Sequence, residues 1–167
     1  MSQLFMNAEN KIKKALFWIV EIIEKHDIPF QIVGGLTVKA YGSPRPLVDI
    51  DIEIPEESFS KIQNEVSAYI TYGPAQLKEE RWDLFLMTLN YEGQEIDISG
   101  AYTTKIYDIT KKNWVALNPE LSKVVPLNLY GKILPIISKE QLIAYKKILL
   151  REVDILDLQY LEKNIQK

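Results

Sequence analysis

Between Leu47 and Ile54 the chain alternates without a break. Val48, Ile50, Ile52 and Ile54 fall on one side of an extended strand, and Asp49, Asp51 and Glu53 on the other. The apolar side belongs against a core. The acidic side is harder to place. Side chains two apart on a strand point the same way and stand roughly 6.5–7 Å apart. A folded sheet therefore holds Asp49 and Asp51 side by side, where like charges repel and loss of water adds a further cost. A hard divalent cation relieves both. Mg²⁺ or Mn²⁺ takes carboxylate oxygens and leaves positions open for substrate phosphates.

The segment just before supplies a second feature. Phe30-Gln31-Ile32-Val33 is a short apolar run ending in Gly34-Gly35, and Leu36 to Tyr41 reads as a turn or two of helix. A strand that ends in two glycines at a helix start leaves backbone N–H groups free to cradle an anion, with no Cβ in the way. Further on, Arg81 to Tyr91 and Gln94 to Tyr102 read as a hairpin turning at Glu92-Gly93. In its second strand Glu95, Asp97 and Ser99 share a face opposite Ile96 and Ile98. If this strand lies beside the first, Asp97 completes a cluster of three carboxylates; otherwise it faces solvent.

Gly34-Gly35, thirteen intervening residues, then Asp49-Ile50-Asp51, with a later Asp97, resembles the signature of the DNA polymerase beta-like nucleotidyltransferase superfamily. The resemblance runs from about Phe30 to Ser99. It implies an α+β fold, a mixed and mainly antiparallel sheet flanked by helices. It further implies that Asp49, Asp51 and Asp97 are catalytic and bind Mg²⁺ or Mn²⁺, and that Gly34, Gly35 and Arg45 bind the nucleotide. Small members carry Arg-x-Thr-x-Asp before the pair. Here Arg45 is kept and Leu47 replaces the Thr. The implied reaction moves a nucleoside monophosphate from an NTP, ATP favoured, to an unknown acceptor hydroxyl, releasing pyrophosphate. The alternative is a non-catalytic nucleotide-binding or toxin–antitoxin-type regulatory module. A C-terminal Lys, here Lys146 or Lys147, followed by Arg151-x-x-Asp154-x-x-Asp157 also looks like a feature of small members; a helix-stabilising ion pair explains Arg151 and Asp154 equally well.

Composition narrows the partners. A chain of 167 residues, 47% hydrophobic, suffices for one domain over residues 1–167. A net charge of −3 argues against broad, sequence-independent binding of nucleic acid. The absence of Cys and of any apolar run near ~18 residues leads to the expectation of a cytoplasmic protein that does not enter membranes. Other chemistries lack their residues. Asp49-x-Asp51-x-Glu53 misses the Gly and terminal Glu of a calcium loop, and zinc ligand sets, a nucleophile elbow and a P-loop are absent.

The remaining elements follow from periodicity. Gln3 to Lys25 predicts an amphipathic helix burying Ala8, Ile12, Ala15, Leu16, Ile19, Ile22 and Ile23, with Glu9/Lys13 and Glu21/Lys25 as surface pairs. Lys11, Lys13 and Lys14 read as a solvated face, and His26, the sole histidine, as a helix-end cation without partner ligands. Pro55 opens a helix that buries Phe59, Ile62, Val66 and Ile70 and breaks at Tyr72-Gly73-Pro74. Residues 103–126 show no clear period; Trp114, next to Lys111 and Lys112, could stack a base but is read first as a loop anchor to the core. Val124 to Leu129 and Lys132 to Ile137 predict a hairpin about Tyr130-Gly131. Ser138 with Gln141 predicts a capping box opening a helix that turns Leu142, Ile143, Tyr145, Ile148 and Leu149 inward.

Overall fold

The computed structural model describes residues 3–163, with the side chains of residues 3–6 left out. The elements run α1 (Gln3–Lys25), β1 (Gln31–Val33), α2 (Gly34–Ala40), β2 (Ile50–Ile54), α3 (Phe59–Val66), β3 (Ile70–Lys78), β4 (Trp82–Tyr91) and β5 (Gln94–Gly100). They continue as β6 (Lys105–Asp108), β7 (Asn113–Ala116), β8 (Val125–Leu129), β9 (Lys132–Ile136), α4 (Lys139–Leu149) and α5 (Glu152–Lys163). The strands form one sheet in the order β7-β6-β4-β5-β2-β1-β9-β8, with β3 paired to β4. Among the described residues only β1–β9 and β2–β5 are parallel. This is the mixed, mainly antiparallel α+β sheet that the sequence implied.

The alternation of β2 sorts the two faces. Ile50, Ile52 and Ile54 are fully buried in the main core, with Met87, Leu89, Ile96 and Ile98 of the neighbouring strands. Ile12, Ala15, Leu16, Ile19 and Ile23 of α1 and Phe59, Ile62 and Val66 of α3 cover this face. A smaller cluster of Val38, Ile137, Leu142 and Leu161 joins α2, α4 and α5. The polar face of β2 is thus left to the loops and to α4.

Several expectations need correction. β2 begins at Ile50, not Leu47, and Val48 is 76% exposed instead of buried. Its carbonyl accepts a hydrogen bond from Gln94 Nε2, so the approach to β2 is held by side-chain contacts instead of a ladder. Ala8 is exposed on α1. Glu9 pairs with Lys39 across to α2, and Lys25 with Glu65 of α3, instead of along α1. His26 also meets Glu65. Ile70 opens β3, and the supposed break at Gly73-Pro74 lies inside that strand. The pairing of β3 with β4 shifts register on either side of Tyr72, and Gly73 has φ +71°. β3 pairs only with β4, and an edge strand tolerates a proline because no ladder donor is missed. Residues 103–126 hold a further hairpin, β6–β7. Trp114 on β7 is 36% exposed, against Tyr107 and beneath Lys78 Nζ, and anchors nothing in the core. The Glu92-Gly93 and Tyr130-Gly131 turns form where expected, with φ of 51°, 79°, 56° and 94°. Among the described residues no helix is long and apolar enough to cross a membrane.

Candidate active site

β1 and β2 are antiparallel with Val33 opposite Asp51. β2 and β5 are parallel with Asp51 opposite Asp97. Asp51 therefore sits at the centre, flanked by the Gly34-Gly35 turn on one side and Asp97 on the other. All of these residues, with Asp49, line a cavity of about 520 Å³ roofed by Tyr145 and Lys146 of α4 and by Arg151.

The glycines answer to close approach. Gly34 has φ +66°, and a Cβ there would overlap the Asp51 carboxylate. A Cβ on Gly35 would come within 2.8 Å of Arg45 Nη2. The turn is bare so that an acid and a guanidinium can rest on it.

The electrostatics are those of an acidic cluster partly withdrawn from water. Burial first, then the charges of Asp49 and Asp97, push Asp51 up to about 8, although Arg151 and Lys146 pull the other way. Burial also raises Asp97; a hydrogen bond from Thr88 Oγ1 to its Oδ1, 2.6 Å, opposes this, and Glu95 and Asp49 add to the rise. Glu53, buried and accepting from Gln31 Nε2 at 2.6 Å, is pushed up to about 7, mainly by burial. The donor set is all carboxylate, which suits a hard cation. The side chains share the cavity without closing on one point. Among the described residues no three His, Cys, Asp or Glu side chains stand near enough to hold an ion as placed.

Basic groups enclose the cavity from the C-terminal elbow. Arg45 donates through Nε and Nη2 to the two Asp157 oxygens at 2.8 and 3.1 Å, and through Nη1 to the Pro46 carbonyl. Its guanidinium still lines the cavity beside Gly35. Lys146, 2% exposed, lies 3.0 Å from Asp154 and 2.9 Å from Asp157. Arg151 pairs with Asp154 at 2.7 Å and sits over the Trp82 ring. Burial acts to raise Asp154, but the hydrogen bonds from Arg151 and Lys146 win and hold it below its ordinary value. Arg81 Nη1 donates to the Leu149 carbonyl as the chain turns through Leu150, at φ +47°. Asp154 and Asp157 thus tie α5 to α4 and to the loop before β2.

Sequence reasoning placed the acids and the glycine turn on one cavity; the C-terminal Lys and Arg151 that the resemblance singled out form part of its roof, though no site role was assigned to them. Lys146 lies on the buried stripe of α4 between Leu142 and Leu149, a spacing visible in the sequence. Thr88 had no such mark. Its role follows only from its register opposite Asp97. Tyr145, read as core, faces the cavity; burial first, then Asp51, raises its phenol well above the ordinary range.

No family model and no curated protein sequence matches this chain. Solved structures do. A Thermotoga maritima protein provisionally assigned as a nucleotidyltransferase superposes with a TM-score of 0.69, covering 94% of both chains at 19% identity. The chain has the nucleotidyltransferase fold. The lincosamide antibiotic adenylyltransferase LnuA is similar at TM-score 0.59 and 19% identity, over 89% of this chain and 95% of that one. The antibiotic-resistance factor ANT(2'')-Ia is similar at TM-score 0.62 and 15% identity, over 96% of this chain and 85% of the other. Within the nucleotidyltransferase fold, the carboxylate face of β2 and β5 is the face that the cavity opens.

Proposed function

We propose that this protein is a metal-dependent nucleotidyltransferase that moves a nucleoside monophosphate from an NTP, ATP by preference, to an acceptor hydroxyl and releases pyrophosphate. The observation that carries this reading is the register of Asp51 against Asp97 on adjacent strands, with Asp49 beside them, in a cavity floored by Gly34-Gly35. Asp49, Asp51 and Asp97 would hold Mg²⁺ or Mn²⁺. Such an ion supplies charge neutralisation and Lewis acidity at the transferring phosphoryl group. The Gly34-Gly35 turn brings the Asp51 carboxylate and the Arg45 guanidinium against the backbone, next to where phosphate oxygens would bind. Arg45 keeps part of its donor set for them while Asp157 fixes its direction. Asp97, oriented by Thr88 and raised above its ordinary value, accepts the proton of the acceptor hydroxyl. The acceptor oxygen then bonds to the α-phosphorus as the bond to pyrophosphate breaks. The presence of all three acids on the cavity supports catalysis over the non-catalytic alternative.

The test is transfer of label. The protein is incubated with each α-labelled NTP, Mg²⁺ or Mn²⁺ and a cell extract. A labelled product with wild type and none with Asp51→Ala is expected. Absence of labelling with all four NTPs in both metals would reject catalysis.

A further inference from the structure

A second cavity of about 190 Å³ continues from the first, sharing Val33, Glu53, Leu117 and Tyr145 with it. Its far walls are Pro119 and, on α4, Gln141, Leu142 and Ile148. Apart from Glu53 at the junction it is lined by uncharged residues. Gln141 stands out among them. Ser138 Oγ accepts from its backbone N–H at 3.2 Å, the half of the capping box that the sequence foretold. The other half does not form: the Gln141 side-chain oxygen is buried without a hydrogen-bond partner. A buried carboxamide oxygen left unpaired is unfavourable, and a ligand donor would supply the missing hydrogen bond.

Position decides which ligand. Asp97 lines only the first cavity, whereas the second joins it at Val33, beside Gly34, and runs from there between Ile137 at the end of β9 and Val115 of β7. The acceptor meets Asp97, so the second cavity lies on the nucleotide's side. Resting on the transferase reading above, we propose that this cavity is the nucleobase pocket and that Gln141 selects adenine. With the triphosphate at Gly34-Gly35, the ribose reaches Glu53 and Tyr145 and the base enters between α4 and the segment around Pro119. A glutamine carboxamide matches adenine by accepting from the N6 amino group while donating to the adjacent ring nitrogen. Guanine and uracil present a carbonyl where that amino group stands. Cytosine keeps an amino group but is a smaller ring that leaves part of the cavity unfilled.

The experiment is calorimetric titration of the full chain, in Mg²⁺, with ATP, GTP, CTP, UTP and inorganic tripolyphosphate. Wild type is expected to bind ATP about tenfold or more tighter than the other three. Gln141→Ala should bring the four within about threefold and leave tripolyphosphate affinity unchanged. Ala144→Phe, which narrows the same cavity from an exposed wall position, should weaken ATP at least tenfold and spare tripolyphosphate. Melting temperatures of both variants verify folding. Equal wild-type affinity for all four nucleotides, or an ATP preference that survives Gln141→Ala, overturns the base pocket while leaving the phosphate site standing. Nucleotide binding indifferent to Ala144→Phe hands the cavity to the acceptor and overturns it as well. If neither tripolyphosphate nor any NTP binds, the transferase reading has failed and the pocket falls with it.

Discussion

Asp51 is a residue whose charge this fold tolerates poorly. Burial raises it from 3.8 to about 8, and the neighbouring acids add to the effect. The sign of the consequence is fixed. Between about pH 4 and 8 the folded chain holds a proton that the unfolded chain releases, so stability falls as pH rises through that window. Glu53, pushed up to about 7 from 4.5, acts in the same direction. Asp51→Asn removes the larger contribution. In a chelator, the melting temperature of Asp51→Asn relative to wild type should climb from pH 5 to pH 8. If wild type gains on the variant instead, Asp51 is satisfied as a charge and the cluster needs no cation. At this scale the sequence showed the acids, because strand alternation exposes which side chains share a face. It could not show Thr88 or the free carboxamide of Gln141, whose roles depend on what lies across from them.

The elbow between α4 and α5 is the element that brings the C-terminus to the site. Lys146 is buried between Asp154 and Asp157, and Asp157 in turn holds Arg45 of the loop before β2. Removing one partner of a buried ion network leaves an uncompensated charge, at a cost of about 3–5 kcal/mol. Asp154→Ala strips both Lys146 and Arg151 of a partner. It should lower the melting temperature by roughly 10 °C, at roughly 2–4 °C per kcal/mol for a chain of this size. A drop of under 2 °C would mean that the elbow is incidental to stability. Element-level legibility followed the turns. Hairpins with Gly after a residue of positive φ were readable at Glu92-Gly93 and Tyr130-Gly131. β3 was hidden by a Gly-Pro pair that an edge strand accommodates. β6 and β7 were hidden because Asp108 is buried in phase with Ile106 while Tyr107 and Trp114 pair on the outer side, which blurs the period of two.

Across the whole molecule the sheet separates two tasks. The face toward α1 and α3 carries the core, and the face toward α4 carries the acids and both cavities. Substitutions on the two faces should therefore behave oppositely. Ile52→Ala, on the core face, should cost about 2–5 kcal/mol whatever ligand is present. Asp51→Ala, on the cavity face, relieves repulsion from Asp49 and Asp97 and should leave the ligand-free protein as stable as wild type or slightly more so. Ligand reverses the order. With Mg²⁺ and ATP at a hundred times the dissociation constant, wild type gains about 2.7 kcal/mol. At roughly 2–4 °C per kcal/mol this raises its melting temperature by roughly 5–10 °C. Asp51→Ala should show no such rise, and Ile52→Ala should show the full rise from a lower starting point. A ligand-free Asp51→Ala that melts far below wild type would make the aspartate structural, and the division of labour between the two faces would have to be abandoned.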